Sequence, residues 1–151
     1  MRVRTSWTIR KPVASVWELL CNSKMHMSPS CPIYAIGAPT PVECRLPDGA
    51  GSPGAPRQCV STHGIINQEI IEWVPPTKLS FRMDQTDMRF HECVSHLQDT
   101  FDLRSKTEQT TRVTRTTKLS LRAVRGWLSA PLIWLSLKSI HRYVFQNWAN
   151  S

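Results

Sequence analysis

The C-terminal part of the chain constrains the fold most strongly, because its pattern predicts one long helix that follows a series of strands. After Gly126, apolar residues recur at intervals of three and four positions, the spacing of one face of an α-helix. This stripe consists of Ile133, Leu137, Ile140, His141, Val144 and Trp148. Pro131 lies in the predicted first turn, where its missing N–H group leaves no hydrogen bond unmade. A helix of about 20 residues is about 30 Å long, which is enough to cross a whole sheet.

The residues before this helix largely alternate between apolar and polar side chains, the pattern of half-buried strands. The first strand runs from Val3 to Ile9, and a helical stripe from Val13 to Leu20 follows it. We expect a second short helix at 24–30 and a surface loop rich in proline and glycine at 47–56. Further strands are predicted at 33–36, 42–46, 58–63, 65–74, 79–84, 91–103 and 111–121. This order of many strands, with two short helices after the first strand and one long C-terminal helix, indicates an α+β fold.

Length, charge and cysteine content limit the classes of protein to which the chain can belong. Its 151 residues suit a single domain over 1–151. The sequence contains neither a signal peptide nor a run of about 20 apolar residues, so we expect a cytoplasmic protein without a transmembrane segment. Its five cysteines are scattered, which is typical of a reducing compartment. The net charge of +8 favours anionic partners, but no run of five like charges marks a nucleic-acid-binding arm. No specific nucleic acid is therefore expected as a partner.

Two charged residues lie on strand faces that are otherwise apolar. Asp99 shares its face with Leu97 and Phe101, and Arg115 shares its face with Val113 and Thr117. If the turn between these strands centres on Thr107, Phe101 faces Val113 and Asp99 faces Arg115, and an aromatic side chain opposite a β-branched one supports that register. A buried charge must be paired. The pair is then either a structural ion pair or a polar anchor that orients an anionic or carbonyl-bearing ligand.

Two further residues are candidates for acid–base chemistry. Glu69 shares a face with Ile71 and Trp73, and this face points inward, with Phe81, if the register across the following turn is even. Glu69 is then a candidate general base, and otherwise it is exposed. His141 lies on the apolar stripe of the last helix, where it is either a satisfied core residue or a donor to a ligand oxygen.

The order of elements and three local motifs resemble the START-like or SRPBCC superfamily, which includes the polyketide cyclase/dehydrase group. The motifs are KPVASVWELL after the first strand, PRQCVSTHGIINQEIIEWVPPTKLSFRM in the middle, and the terminal helix. Within the middle motif the resemblance is carried by Arg57, Gly64, Glu69, Glu72, Pro75, Pro76 and Leu79. The resemblance implies a helix-grip fold, in which a curved antiparallel sheet of about seven strands surrounds the last helix and leaves a cavity for a lipid, sterol, quinone or polyketide. No residues have a common metal-ligand spacing, so neither a metal nor a cofactor is expected.

The expected cavity lies between the inner faces of the sheet and the last helix. Its predicted lining is Ile71, Phe81, Met83, Leu97, Asp99, Val113, Arg115, Thr117, Ile133, Leu137, Ile140, His141 and Val144. Three functions follow as alternatives: a binding protein for a small hydrophobic ligand, a cofactor-independent cyclase or dehydratase that uses one acid–base residue, or a basic protein that acts at anionic membranes or RNA. The start of the last helix is apolar nearly all round, which predicts cavity lining, a homodimer contact or peripheral membrane contact. Both a monomer and a homodimer remain open.

Overall fold

One antiparallel sheet forms most of the protein in the computed structural model, which describes residues 1–46 and 51–151. Its eight strands are β1 (Arg2–Ile9), β2 (Ser23–Lys24), β3 (Pro41–Arg45), β4 (Pro56–Ser61), β5 (Gly64–Val74), β6 (Lys78–Thr86), β7 (Val94–Thr107) and β8 (Thr110–Leu121). The spatial order is β1-β8-β7-β6-β5-β4-β3-β2, so β1 closes back on β8 while the later strands follow one another as hairpins. The predicted α+β class is confirmed, with eight strands in place of about seven.

Among the described residues, three α-helices accompany the sheet: α1 (Val13–Cys21), α2 (Ala123–Leu128) and α3 (Ala130–Ala149). The predicted stripe of α3 packs on the inner face of the sheet, where Trp148 lies 5.8 Å from Phe101, measured between ring centroids. Asn147 accepts hydrogen bonds from the backbone N–H groups of His26 and Met27 at 2.9 and 3.0 Å. These two bonds attach the segment after β2 to the last helix.

The segment between α1 and β3 differs from the sequence expectation. The helix predicted at 24–30 is absent from the described residues, and the strand predicted at 33–36 is wrong, because a 3₁₀ helix occupies Pro32–Tyr34. Pro32 has no N–H group to give to a sheet ladder, and its fixed φ angle suits the start of a helical turn. Part of the loop predicted at 47–56, residues 47–50, lies outside the described residues, and Pro56 already belongs to β4.

The hairpin of β7 and β8 has the expected faces but a shifted register. Its turn is tighter than predicted, since Thr107 pairs with Thr110, and an irregularity follows at Ser105. As a result Phe101 faces Arg115, and Asp99 faces Thr117. The predicted direct opposition of Asp99 and Arg115 is therefore wrong by two residues, although both side chains keep the same face of the sheet.

Two cysteines form a cross-strand disulfide that the sequence analysis did not expect. Cys44 on β3 and Cys59 on β4 are opposite each other, with a Cα–Cα distance of 4.2 Å. Scattering along the sequence hides this pair, because only the strand register brings the two residues together. The expectation of five reduced thiols is corrected. A cytoplasmic location stays a prediction, and the disulfide is an observation against it.

Candidate functional site

A cavity of about 370 Å³ lies between the inner face of the sheet and α3. Its wall is mostly apolar, and its volume is within the range of small-molecule sites. Of the predicted lining residues, Phe81, Leu97, Asp99, Arg115, Ile133, Leu137, Ile140 and Val144 line it. Their role in binding stays a prediction. Among the described residues of the wall, the charged ones are Arg57, Asp99 and Arg115.

Asp99 and Arg115 form a two-pronged ion pair inside the sheet. Arg115 Nη2 donates to Asp99 Oδ2 at 2.7 Å and Arg115 Nε donates to Asp99 Oδ1 at 3.2 Å. Asp99 is only 2% exposed. Burial alone would raise the pKa of its carboxyl group, but the Arg115 charge and the hydrogen bonds lower that pKa below its usual value. The carboxylate is therefore ionised and fully engaged at neutral pH.

A chain of hydrogen bonds extends from this ion pair to α3. Thr117 donates its hydroxyl proton to Asp99, and the same oxygen lies 2.8 Å from His141 Nε2. Since a hydroxyl has one proton, Thr117 must accept the second bond, and His141 Nε2 must carry a hydrogen. His141 Nδ1 then accepts from the Thr5 hydroxyl at 3.0 Å. This reasoning assigns the neutral Nε2–H tautomer of His141.

The surroundings of His141 favour that neutral form. The side chain is fully buried, and burial, followed by repulsion from Arg115, lowers its pKa to about 3. His141 and Thr117 are outside the cavity lining, as is Val113, which is buried in the core between the sheet and α1. His141 thus connects helix and sheet behind the cavity wall. The prediction that these three residues line the cavity is wrong.

Arg57 on β4 is the charged residue that the sequence analysis did not select for the site. It is 2% exposed and lines the cavity. Its Nη1 donates to Gln68 Oε1 at 2.6 Å, and its Nη2 donates to the carbonyl oxygen of Leu20 at 3.1 Å. Its Cζ lies 4.3 Å from the centroid of the Phe81 ring, in a cation–π contact. Burial, followed by repulsion from Arg115, lowers its pKa to about 10, so Arg57 is still a cation at neutral pH.

Glu69 does not reach the cavity. It pairs with Arg82, whose Nη2 donates to Glu69 Oε2 at 2.7 Å in a partly exposed ion pair. A register irregularity between Ile70 and Glu72 breaks the alternation of β5. Residues before the irregularity, such as Ile70, and Trp73 after it therefore both pack inward. Of the two alternatives for Glu69, the outward-facing one is therefore observed, whereas the prediction that Ile71 lines the cavity is wrong.

Met83 is also outside the cavity lining. It is half-buried on β6 and faces Gln68 of β5 next to a second irregularity, between Asn67 and Gln68. Gln68 points into the cavity, where its side chain receives the Arg57 bond. The prediction of Met83 as a lining residue is therefore wrong, and a polar residue of the neighbouring strand occupies the wall instead.

No family model and no curated protein matches the chain in sequence. Solved structures match its fold. The Zhui aromatase/cyclase from Streptomyces sp. R1128 superposes with a TM-score of 0.69 at 11% identity, over 99% of this chain and 92% of that chain. A START superfamily protein from Mycobacterium smegmatis gives 0.62 at 10% identity, over 95% and 93%. The ginseng major latex-like protein 151 from Panax ginseng gives 0.60 at 14%, over 95% and 94%. The chain has the START-like helix-grip fold.

The START-like fold gives this chain a cavity that reaches the surface beside α2 and the start of α3. Ile36 and Leu132 both line the cavity and are exposed, at 71% and 49%. Next to this mouth, α2 exposes Trp127 and Leu128 at 70% and 79%. No helix in the described part of the chain is long and apolar enough to cross a bilayer. We refer to the exposed side chains of Ile36, Trp127, Leu128 and Leu132 as the apolar rim. Of the alternatives expected for the start of the last helix, cavity lining holds for Leu132 but not for Trp127 and Leu128.

Proposed function

We propose that this protein binds a small hydrophobic or aromatic ligand in the cavity between the sheet and α3. The observation that carries the proposal is a cavity of about 370 Å³ whose wall is mainly aliphatic and aromatic. Ligand sites of this kind obtain affinity from apolar contact and orientation from a few polar groups. Ile133, Leu137 and Ile140 supply the helical wall here, and Phe81 and Phe101 supply the opposite wall.

A thermal-shift screen tests the proposal with palmitate, cholesterol, a short-chain ubiquinone and an aromatic polyketide. A ligand at 100 times its Kd should stabilise the native state by about 2.7 kcal/mol. For a domain of this size that corresponds to roughly 5–10 °C in Tm. A screen in which none of these four raises Tm contradicts the proposal.

A matched pair of variants places the binding inside the cavity. Leu97→Trp adds volume to a half-buried residue of the wall, whereas His96→Trp adds the same side chain to an exposed position on the other face of β7. Leu97→Trp should abolish the thermal shift of any ligand found, and His96→Trp should preserve it. Equal shifts in both variants would locate the ligand elsewhere.

The alternative of a cyclase or dehydratase has weaker support in the candidate residues. A general acid or base works best with a pKa near the operating pH. Asp99 is held as a carboxylate by Arg115, and His141 lies behind the wall with a pKa of about 3. Glu69 is on the outer side. Asp99 therefore has no oxygen free for proton transfer, His141 lacks both access to the cavity and a suitable pKa, and Glu69 lacks access to the cavity.

A second candidate function is exchange of the ligand at an anionic membrane, and the apolar rim is the observation that favours it. Trp127 and Leu128 project from a short helix that begins after Arg122 and contains Arg125, both of which are exposed. Exposed aromatic and aliphatic side chains beside arginines suit the interface of a bilayer with negative headgroups. The chain's net charge of +8 has the same sign.

Co-sedimentation with vesicles tests this membrane contact. The protein should bind phosphatidylserine-containing vesicles, bind less at 0.5 M salt, and bind pure phosphatidylcholine weakly. The double variant Trp127→Ser, Leu128→Ser should lose the binding, with Ile65→Ser on the far side of the sheet as control. Sedimentation of the wild type as a dimer that the double variant converts to a monomer would instead assign the rim to a homodimer.

A further inference from the structure

Arg57 is a buried cation whose contacts are all neutral. The groups that accept from it are the Gln68 amide oxygen, the Leu20 carbonyl oxygen and the Cys59 sulfur, which lies 2.9 Å from Nη1. Its Nε atom is buried and has no hydrogen-bond partner among the described residues. No carboxylate of the described chain lies within ion-pair distance of it. Within residues 1–46 and 51–151, one positive charge in the wall is therefore not neutralised by contact.

The neighbouring Asp99 carboxylate forms no ion pair with Arg57, and its attraction only partly offsets the effects of burial and of the Arg115 charge on the pKa of Arg57. Both oxygens of Asp99 are bound by Arg115, and one of them also accepts from Thr117. The described wall thus holds two guanidinium groups and one carboxylate. Burying an ion without a counter-charge is unfavourable, so a bound anion next to Arg57 would stabilise the folded protein.

The guanidinium of Arg57 is also held in place, as a recognition group must be. The Phe81 ring packs against its Cζ, and bonds to β5 and α1 hold two of its nitrogens. Little side-chain entropy remains to be lost when a ligand binds. A planar guanidinium favours a carboxylate, which it can bind through two parallel hydrogen bonds.

We propose that the ligand is an amphipathic carboxylic acid whose ionised head lies at Arg57 and whose apolar body lies along α3. The inference rests on the proposed ligand-binding function and names its ligand class. The acid head brings the negative charge that balances Arg57, while the Asp99–Arg115 pair stays intact. The body contacts the apolar side chains at Ile133, Leu137 and Ile140, which belong to the same cavity.

The test compares ligands that differ only in the charge of the head. Calorimetry at pH 8 would measure dodecanoate against dodecan-1-ol, and anthracene-9-carboxylate against 9-anthracenemethanol. In at least one pair the carboxylate should bind the wild type at least tenfold more tightly than the alcohol. Arg57→Gln should reduce that preference to threefold or less, and Arg57→Lys should keep an intermediate preference, because it retains the charge without the planar fork.

Arg82→Gln is the matched control, since Arg82 is an arginine on the outer side of β6, two strands away from the β4 strand that carries Arg57. It should bind all four probes as the wild type does. Equal affinity of acid and alcohol in the wild type, or a preference that survives in Arg57→Gln, overturns the carboxylate proposal while ligand binding itself stands. If neither these probes nor the wider screen gives binding, both the carboxylate proposal and the proposed ligand-binding function fail. The wild-type comparison is decisive by itself if Arg57→Gln does not fold.

Discussion

The histidine that links α3 to the sheet should control how the stability of the protein depends on pH. The pKa of His141 is lowered from its ordinary value of 6.5 to about 3 in the folded state. Between these values the unfolded chain binds one proton more than the folded chain, so the free energy of unfolding falls as pH falls. This contribution is fully present above about pH 6.5 and is lost progressively toward pH 3.

The size of the effect follows from the same two values. One pKa unit is worth about 1.4 kcal/mol, so the whole contribution is on the order of 5 kcal/mol. About 2 kcal/mol of it should be lost between pH 7 and pH 5, a range in which urea unfolding can be measured. The loss in this range depends little on the final value, because protonation of the folded state begins only at lower pH.

Replacement by glutamine separates the titration from the hydrogen bond. The amide of His141→Gln can still donate to Thr117 but does not titrate. Between pH 7 and pH 5 the wild type should lose about 2 kcal/mol more of its free energy of unfolding than His141→Gln does. His63→Gln, which removes an exposed histidine at the β4–β5 turn, should keep the wild-type dependence.

An identical pH dependence of wild type and His141→Gln would refute this reasoning. NMR gives an independent check that needs no variant. The ring protons of His141 should not titrate between pH 7 and pH 5, and a midpoint in that range would show that the imidazole is not held neutral by burial and by the Arg115 charge.

The ion pair and the disulfide allow further predictions. Asp99→Asn should lower the free energy of unfolding by about 3–5 kcal/mol in urea titrations, because it leaves Arg115 buried without its partner. An effect below 1 kcal/mol would mean that water replaces Asp99 as the partner of Arg115. Adding Arg57→Gln should recover part of that loss, since fewer cations then lack a counter-charge. A coupling energy of zero in the double-mutant cycle of Asp99→Asn and Arg57→Gln would show that the charges of Asp99 and Arg57 do not interact. Reduction of Cys44–Cys59, or the Cys44→Ser variant, should cost about 3 kcal/mol, the value for a closed loop of about 15 residues, whereas an unchanged Tm in reductant would show that the bond does not form in solution.

Periodicity in the sequence predicted most of the elements and much of the polar core, because it reports which face of an element is buried. Asp99 and Arg115 were found as two charges on apolar faces, and the structure joins them. Their register was wrong by two positions, since a shift of two residues keeps every side chain on its face and leaves the pattern unchanged. The register of β7 and β8 depends on the exact length of the turn between them.

Features that depend on strand pairing could not be predicted. The irregularity after Ile70 reverses the faces of β5, and nothing in INQEIIEW marks its position. Arg57 was missed as a site residue because β4 has no clear alternation, so its inward direction becomes visible only when Gln68 stands opposite it. The disulfide needed the same information, as it joins two residues from different strands.

The positions of the polar side chains in the cavity wall explain why Asp99 forms its ion pair with Arg115 and not with Arg57. Asp99 faces Thr117 on β8, and the hydrogen-bond chain through His141 fixes the direction of its carboxylate from the helix side. Arg115 on the same strand then completes the two-pronged pair. Arg57 reaches the cavity from β4, and among the described residues it donates only to neutral acceptors. The charge that the fold leaves unbalanced is therefore the one that a ligand can balance, and it lies in the wall that the apolar face of α3 closes.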